Sequence, residues 1–284
     1  MGVLEILIAK SSGFCFGVKR AINIADRCSK ESKNGGIYTL GPIIHNPQVV
    51  KRLEESNIFA KSSIDHIESG TVIIRSHGVK YDVINEAKAK GLNVVDATCP
   101  FVKKAQELVS HLSEEGYSVI VAGEKDHPEV KGLVSYCPTG VLVADSPDAL
   151  AEMPRKKKIG IIAQTTLPVE RLEDIVSFCL GKAPEIKVYN TICNATSIRQ
   201  KESADLARAV DVMIVVGGSN SANTRRLADI CRSIKPATYQ IEVASELDSS
   251  WFNGAERVGV TSGASTPDWV ISEVVEAIEA LCTK

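Results

Sequence analysis

Short apolar runs alternate along the chain with stretches in which apolar residues recur at helical spacing. The runs predict strands, and the amphipathic stretches between them predict helices. The predicted strands are Glu5–Ala9, Ile37–Leu40, Thr71–Arg75, Asn93–Asp96, Ser118–Ala122, Val141–Ala144, Ile159–Ala163, Lys187–Tyr189, Val212–Val216, Ala237–Gln240 and Val258–Thr261. The clearest predicted helices are Gly17–Ser29, Pro100–Glu115, Glu170–Leu180, Thr196–Ala209, Asn223–Ser233 and Pro267–Leu281. This alternation indicates an α/β fold with mostly parallel sheets, in which ligands bind beyond the carboxyl ends of the strands.

A faint internal repeat runs through the pattern. Cys15, Cys99 and Cys193 each follow a predicted strand and begin a predicted helix, at separations of 84 and 94 residues. The repeat predicts three similar α/β units, 14–97, 98–191 and 192–284, with the strand in 1–13 joining the third. A polar loop leaves an apolar strand in each unit, and we align the loops Ser76–Gly78, Lys125–Glu129 and Ser219–Asn223. If the units face one another, these loops converge.

Composition narrows the class of protein. The 284 residues include 33 Lys and Arg against 35 Asp and Glu, with 44% apolar residues, which excludes collagen, coiled coil and disorder. A net charge of −2 without a basic patch argues against long DNA or RNA as a partner. No apolar run approaches the roughly 18 residues that cross a bilayer, and no secretory signal pattern is present. We therefore expect a cytoplasmic protein that binds no membrane.

The eight cysteines fall into two groups. None are in C-x-x-C spacing, and Cys28, Cys179, Cys231 and Cys282 continue apolar helical faces, as small core residues do. Cys137 lies in a turn. Cys15, Cys99 and Cys193 instead lie among Gly, Thr, Pro and Asn at strand-to-helix turns, where a helix N-terminus favours the thiolate. Three such thiolates could hold a zinc ion, or an iron–sulfur cluster with one iron that has no protein ligand.

A set of polar residues accompanies the three cysteines. The histidines of this set are at predicted strand or turn ends, and the remaining members carry hydroxyl or amide groups that can hold a phosphate without many Lys or Arg. The set is His45, His77, His127, Thr165, Ser221, Asn223 and Ser265. The same residues could instead serve as ordinary helix caps and turns.

The order of short motifs points to one family. The chain carries, in succession, GFCFGVKRA, IIHNPQVV, SHGV, DATCP, HPEV, AQTTL, TICNAT and VTSGASTPD. In this combination, from Phe14 to Asp268, it resembles the LytB-type family of 4-hydroxy-3-methylbut-2-enyl diphosphate reductases of the methylerythritol phosphate route to isoprenoids. The resemblance implies three α/β domains in a trefoil around a central [4Fe-4S] cluster, one per chain. Its ligands would be Cys15, Cys99 and Cys193, with one iron left without a protein ligand.

The resemblance also implies roles for the polar residues. Diphosphate binding is expected of His45, His77, His127, Ser221, Asn223 and Ser265. Glu129, with His127, is expected on the proton path, and Thr165 near the substrate hydroxyl, which would be bound at the open iron. The implied reaction removes that allylic hydroxyl as water, with two electrons and two protons, and yields isopentenyl and dimethylallyl diphosphate. The chain departs from the family pattern at Ala222, where a second serine is common, and at Phe16, where Ala is common.

Two other functions stay open at this point. A redox-neutral hydro-lyase also uses a three-cysteine cluster with an open iron, and would turn over without a reductant. A non-enzymatic iron–sulfur sensor would not need the surrounding His, Ser, Asn and Glu residues. Since the chain has neither a G-x-G-x-x-G nor a P-loop motif, the reductase would take its electrons from reduced ferredoxin or flavodoxin.

Overall fold

The computed structural model describes residues 4–31, 35–44, 46–219 and 221–282, so that His45, one of the predicted diphosphate ligands, lies outside the described residues. The described strands form three parallel four-stranded sheets with helices between the strands, which confirms the predicted α/β fold. One compact unit, residues 20–43 and 53–193, holds the first and second sheets. The other, built from 1–19, 44–52 and 194–284, holds the third sheet.

The first sheet has the strand order β3-β2-β4-β5. Its strands are β2 (Ile37–Leu40), β3 (Ile58–Lys61), β4 (Thr71–Ile74) and β5 (Asn93–Asp96). Helix α1 (Phe16–Glu31) precedes this sheet in the chain, α2 (Pro47–Glu55) connects β2 to β3, and α3 (Tyr81–Ala89) connects β4 to β5. All four residues of β4 are buried, as expected for a central strand of a parallel sheet.

The second sheet has the order β7-β6-β8-β9. Its strands are β6 (Ser118–Ala122), β7 (Val141–Ala144), β8 (Lys158–Ala163) and β9 (Glu185–Tyr189), and its helices are α4 (Pro100–Glu114), α5 (Pro128–Val134) and α6 (Val169–Cys179). Alternate residues of the central strands face opposite sides. Ile120 and Ile161 pack with α6, whereas Val119 and Val121 pack with α4 and α5. Burial on both faces explains why these strands are continuous apolar runs.

The third sheet has the order β1-β12-β10-β11. Its strands are β1 (Glu5–Ile8), β10 (Val212–Val216), β11 (Thr238–Ile241) and β12 (Arg257–Ser262), and its helices are α7 (Asn194–Ala209), α8 (Ala222–Ile234) and α9 (Asp268–Cys282). Strand β1 lies beside β12 in parallel, with Ile6 opposite Val258. A segment from the start of the chain therefore completes a sheet whose other strands lie after residue 211.

The three sheets share one topology. If the strands of the third sheet are counted from β10, the first and third strands of every sheet are central and the second is at one edge, while the other edge strand is β5, β9 or β1. Each predicted cysteine ligand follows one of these last three strands and stands just before a helix: Cys15 before α1, Cys99 before α4 and Cys193 before α7. The domain boundaries given above stay a prediction.

The structure corrects two sequence-based expectations. Strand β3 is not predicted from the sequence, because its apolar run of Ile58, Phe59 and Ala60 is only three residues long, and Phe59 and Ala60 are exposed on an edge strand. The alignment of loop Ser76–Gly78 with Lys125–Glu129 and Ser219–Asn223 is wrong: the first follows a third strand, whereas the other two follow first strands. The true counterpart, 41–46 after β2, was overlooked because it carries Ile43 and Ile44, both 1% exposed, in place of polar residues. The other predicted strands have ends within two residues of those observed.

Candidate functional site

A glycine begins the loop after the first strand of every sheet. Gly41, Gly123 and Gly217 directly follow β2, β6 and β10, and the fifth residue after each of those strands is His45, His127 or Ser221. The glycine N–H donates to the carbonyl of the last residue of the adjoining strand, at 2.7 Å (Gly41 to Lys61), 2.8 Å (Gly123 to Ala144) and 2.8 Å (Gly217 to Ile241). The fold thus assigns three predicted ligands to one topological position.

A second repeated contact is a backbone hydrogen bond between each cysteine and the loop that follows the third strand of a sheet. The cysteine N–H donates, and the acceptor is always the carbonyl of the second residue after the strand, which is β12, β4 or β8. The three pairs are Cys15 with Ala264 at 3.1 Å, Cys99 with Ser76 at 2.9 Å and Cys193 with Thr165 at 2.7 Å. His77 and Ser265 directly follow two of these acceptors. The sequence repeat therefore corresponds to a structural repeat that sets each cysteine against a loop carrying predicted ligands.

These three cysteines are in surroundings suited to metal binding. Each is half-buried, between the buried cores and the solvent. Cys99 is the N-cap of α4, with Pro100 in the first turn, where outward-pointing N–H groups stabilise a thiolate.

The remaining described cysteines differ from this group. Cys137, Cys179 and Cys231 are buried, and burial raises the pKa of the Cys231 thiol to about 11. Burial also raises the pKa values of Cys28 and Cys179. Cys179 and Cys231 are thus core residues and poor ligands, as the sequence predicts for them, whereas Cys28 is half-buried.

His77 and His127 lie together in the unit that holds the first two sheets. Their rings are 5.6 Å apart between centroids and meet edge to face at 84°. His127 is the N-cap of α5, and its Nδ1 accepts the Glu129 N–H at 3.2 Å. A neutral imidazole that accepts at Nδ1 carries its proton on Nε2 and donates from that atom.

Glu129 is the least exposed ionisable residue of the predicted set. Its carboxyl group is 1% exposed and accepts two bonds from Thr165: the backbone N–H reaches Oε1 at 2.7 Å, and the hydroxyl reaches Oε2 at 2.7 Å. Burial raises the pKa of Glu129 above its ordinary value, although both bonds from Thr165 act in the opposite direction. A carboxyl group of this kind retains its proton to higher pH than an exposed one, as a general acid requires.

Thr165 links this carboxyl group to a cysteine. Its N–H and hydroxyl bind Glu129, while its carbonyl accepts the Cys193 N–H at 2.7 Å. The structure therefore brings together Glu129, Thr165 and Cys193, and separately His77 and His127, all within one compact unit.

Predicted ligands in the other unit are at helix starts and loop ends. Ser221 is the N-cap of α8, and its Oγ accepts the Thr224 N–H at 3.3 Å. Asn223 is half-buried in the first turn of that helix. Ser265 is half-buried beside Ala264, the residue that holds the Cys15 N–H. These side chains are neutral hydrogen-bonding groups, unlike the ionisable His127 and Glu129.

Sequence reasoning missed two residues that hold the Cys15 loop. Arg199, in α7, is 4% exposed and donates to the Gly13 carbonyl. Glu202, one turn further along, accepts the N–H groups of Lys10 and Ser11. Charged residues inside a helix usually face solvent, so no local sequence signal distinguishes this arginine from its exposed neighbours.

A compact metal-binding group of side chains and a membrane-spanning helix are both absent from the described residues. In the part of the chain that the structure describes, no three His, Cys, Asp or Glu side chains are arranged to hold a metal ion. A cluster whose thiolates bind different irons does not require that arrangement. None of the described helices is both long enough and apolar enough to span a membrane.

Comparison with known proteins gives one consistent result. A model of the LytB protein family matches residues 6–279. The 4-hydroxy-3-methylbut-2-enyl diphosphate reductase of Geobacter sulfurreducens is 55% identical over 281 residues, covering 99% of each chain. The enzyme of the same description from Geobacter metallireducens is 54% identical over 278 residues, covering 98% of each.

Solved structures of similar proteins agree. A structure of (E)-4-hydroxy-3-methyl-but-2-enyl diphosphate reductase, the terminal enzyme of the non-mevalonate pathway, matches with a TM-score of 0.78 at 47% identity, covering 98% of this chain and 99% of that one. A structure of the E-1-hydroxy-2-methyl-but-2-enyl-4-diphosphate reductase from Plasmodium falciparum matches with a TM-score of 0.88 at 29% identity, covering 96% of this chain and 87% of that one.

Proposed function

Because the chain belongs to the LytB protein family, we propose that it reduces 4-hydroxy-3-methylbut-2-enyl diphosphate to isopentenyl diphosphate and dimethylallyl diphosphate. The observation that carries the proposal is the hydrogen-bonded series Glu129–Thr165–Cys193, which joins a buried proton donor to the backbone of a predicted cluster ligand. The reaction consumes two electrons and two protons and releases the substrate hydroxyl as water.

Enzymes of this family carry an iron–sulfur cofactor, and the three half-buried thiols fit one. We assign Cys15, Cys99 and Cys193 as ligands of a single [4Fe-4S] cluster, in which the fourth iron has no protein ligand. Support comes from their half-buried positions, their places beside helix N-termini and the backbone contact that all three repeat. When bound, the cluster supplies the electrons and an open Lewis-acidic iron.

Neutral donors would hold the diphosphate. His77 and His127 form one pair of imidazoles, and a neutral His127 would donate to a phosphate oxygen from Nε2, because Nδ1 accepts the Glu129 N–H. Ser221, Asn223 and Ser265 would add hydroxyl and amide donors, with His45 assigned by its place in the repeat. Charge-assisted hydrogen bonds from neutral donors to phosphate are each worth about 1.5–3 kcal/mol.

Glu129 would supply the proton that leaves with the hydroxyl as water. Its raised pKa lets the carboxyl group retain its proton to higher pH than an exposed one, and Thr165 is placed to pass or orient that proton, since its hydroxyl is hydrogen-bonded directly to Oε2. After donation, the same Thr165 bonds stabilise the carboxylate. His127 would fix the orientation of the Glu129 backbone through its Nδ1 contact.

The test is anaerobic reconstitution with iron and sulfide, followed by an assay with the diphosphate substrate and reduced ferredoxin or flavodoxin, the donors we propose for the cytoplasm. We expect a visible cluster absorbance and conversion to both products that requires the reductant. Turnover without reductant would instead indicate a hydro-lyase. A cluster without turnover under either condition would indicate a sensor.

A further inference from the structure

Arg199 is a buried cation in the third sheet's unit, on the helix that follows Cys193. Its guanidinium donates from Nη1 to the Ser262 carbonyl and from Nη2 to the Gly13 carbonyl, both at 2.9 Å. The residue is 4% exposed. Both acceptors are uncharged carbonyls, so the guanidinium retains its full positive charge in a place that water does not screen.

One part of this guanidinium has no acceptor. Among the described residues, the buried Nε atom of Arg199 makes no hydrogen bond. A buried donor without a partner is destabilising by about 1–3 kcal/mol, so it indicates a ligand or an anion that completes the site. Two anionic groups act on this guanidinium: burial lowers the pKa of Arg199, whereas the Cys15 thiolate and, less strongly, the Glu202 carboxylate raise it.

The loop that carries Cys15 is fixed to this arginine and its neighbours. Glu202 accepts the N–H groups of Lys10 at 2.6 Å and Ser11 at 2.8 Å, and the Gly13 N–H donates to Ser262 Oγ at 2.8 Å. Gly13 has φ of +90°, and a Cβ there would lie 2.1 Å from the Asp268 carboxylate. These contacts fix the backbone at Gly13, two residues before Cys15.

We propose that Arg199 is a positioning residue for Cys15 whose fixed charge favours the reduced state of the metal centre held by that thiolate. This inference rests on the proposed function, in which Cys15 binds iron. An iron–sulfur cluster gains one negative charge on each one-electron reduction, and an unscreened cation beside one of its ligands stabilises the added charge. The negative charge of Glu202 acts against reduction of the metal centre. Its carboxylate is close enough to Arg199 to raise the pKa of that arginine.

The test is a redox titration of the reconstituted full chain, followed by visible absorbance and electron paramagnetic resonance. A buried charge beside another charged group shifts the balance between the states of that group by the equivalent of about one pKa unit. Arg199→Gln should therefore lower the reduced-to-oxidised ratio at a fixed potential by about tenfold, which is ~59 mV for a one-electron couple. Arg199→Lys retains the charge and should change this ratio by less than about threefold.

Two further variants complete the design. Glu202→Gln removes the opposing charge and should raise the ratio, which keeps the proposal testable if Arg199→Gln does not fold. Arg208→Gln serves as the control, since Arg208 is on the same helix, is exposed and pairs with Asp205. It should leave the potential unchanged.

The outcomes separate this proposal from the one on which it rests. A parent chain that takes up no iron overturns both. A parent chain with a cluster whose potential is unmoved by Arg199→Gln, or unmoved or lowered by Glu202→Gln, leaves the proposed function intact and removes the role of Arg199.

Discussion

The second and third sheets have the same strand order but carry different chemistry at matching loops. Five and seven residues after the first strand, the second sheet has His127 and Glu129, and the third sheet has Ser221 and Asn223. Both loops begin with a glycine that donates to the neighbouring strand. The second sheet is built from one continuous segment, whereas the third takes an edge strand from residues 5–8.

This difference shows that the fold determines where these loop residues lie, whereas the type of side chain determines their chemistry. Glu129 is buried, which raises its pKa and suits proton transfer, and its carboxyl group is bonded to the Thr165 hydroxyl. Asn223 occupies the same topological place but carries an amide, which donates a hydrogen bond without changing charge. We therefore assign proton chemistry to the second sheet and neutral anion binding to the third.

The largest loss of activity should come from substitution of the three predicted cysteine ligands, which occupy equivalent places after strands of the three sheets. Cys15→Ser, Cys99→Ser and Cys193→Ser should each lose the visible absorbance of the cluster and the activity, because each removes a thiolate ligand. Iron content and absorbance after reconstitution provide the measurement. Cys179→Ser and Cys231→Ser are the matched controls, since these buried thiols belong to hydrophobic cores and should keep the cluster. Full iron content in any of the first three variants would contradict the ligand assignment.

The next largest effect should come from Glu129 and distinguishes the role of the second sheet from that of the third. Glu129→Gln keeps the shape of the side chain and its place beside Thr165 but removes the transferable proton. We expect kcat to fall by about 10²–10⁴, with the cluster retained and substrate affinity near normal, because general acids contribute by that order. Single-turnover kinetics and iron content measure this. A kcat within about twofold of the parent would end the catalytic role of Glu129.

Asn223→Ala, at the matching position of the third sheet, should affect binding instead. Loss of one charge-assisted hydrogen bond is worth about 1.5–3 kcal/mol, so Kd for an unreactive diphosphate analogue should rise roughly ten- to hundredfold. His45→Asn should behave in the same way. Isothermal titration calorimetry with the reconstituted protein measures both. Unchanged Kd in the two variants would place these residues outside the diphosphate pocket.

Much of the fold could be predicted from hydrophobic pattern. Strands such as Val212–Val216 are buried on both faces, and therefore appear in the sequence as uninterrupted apolar runs. Strand β3 escaped because it is a short edge strand with two exposed residues, one of them Phe59. A register between distant segments, as between β1 and β12, depends on tertiary packing that no local pattern records.

Site residues were predictable where special chemistry or motif order identified them. The cysteines Cys15, Cys99 and Cys193 stood out because their neighbours do not fit a core face. Arg199 did not stand out, since its burial depends on carbonyls of Gly13 and Ser262, which are distant in sequence. The glycine that precedes His45, His127 and Ser221 by four residues was visible in the sequence, but its meaning depended on knowing where each strand ends.

The smallest predicted effect tests why Glu129 differs from Asn223. The Thr165 hydroxyl stabilises the charged form of Glu129, so Thr165→Val should raise the Glu129 pKa further, while the backbone bond at 2.7 Å remains. A general acid is active when protonated, so the alkaline fall of kcat should move to higher pH. Thr166→Val is the matched control, because the Thr166 hydroxyl accepts from Gln164 instead, and it should leave this position unmoved. A pH profile of kcat for each variant measures the position of this fall independently of the absolute rates. If the alkaline fall of kcat in Thr165→Val stays in place or moves to lower pH, Glu129 does not govern it.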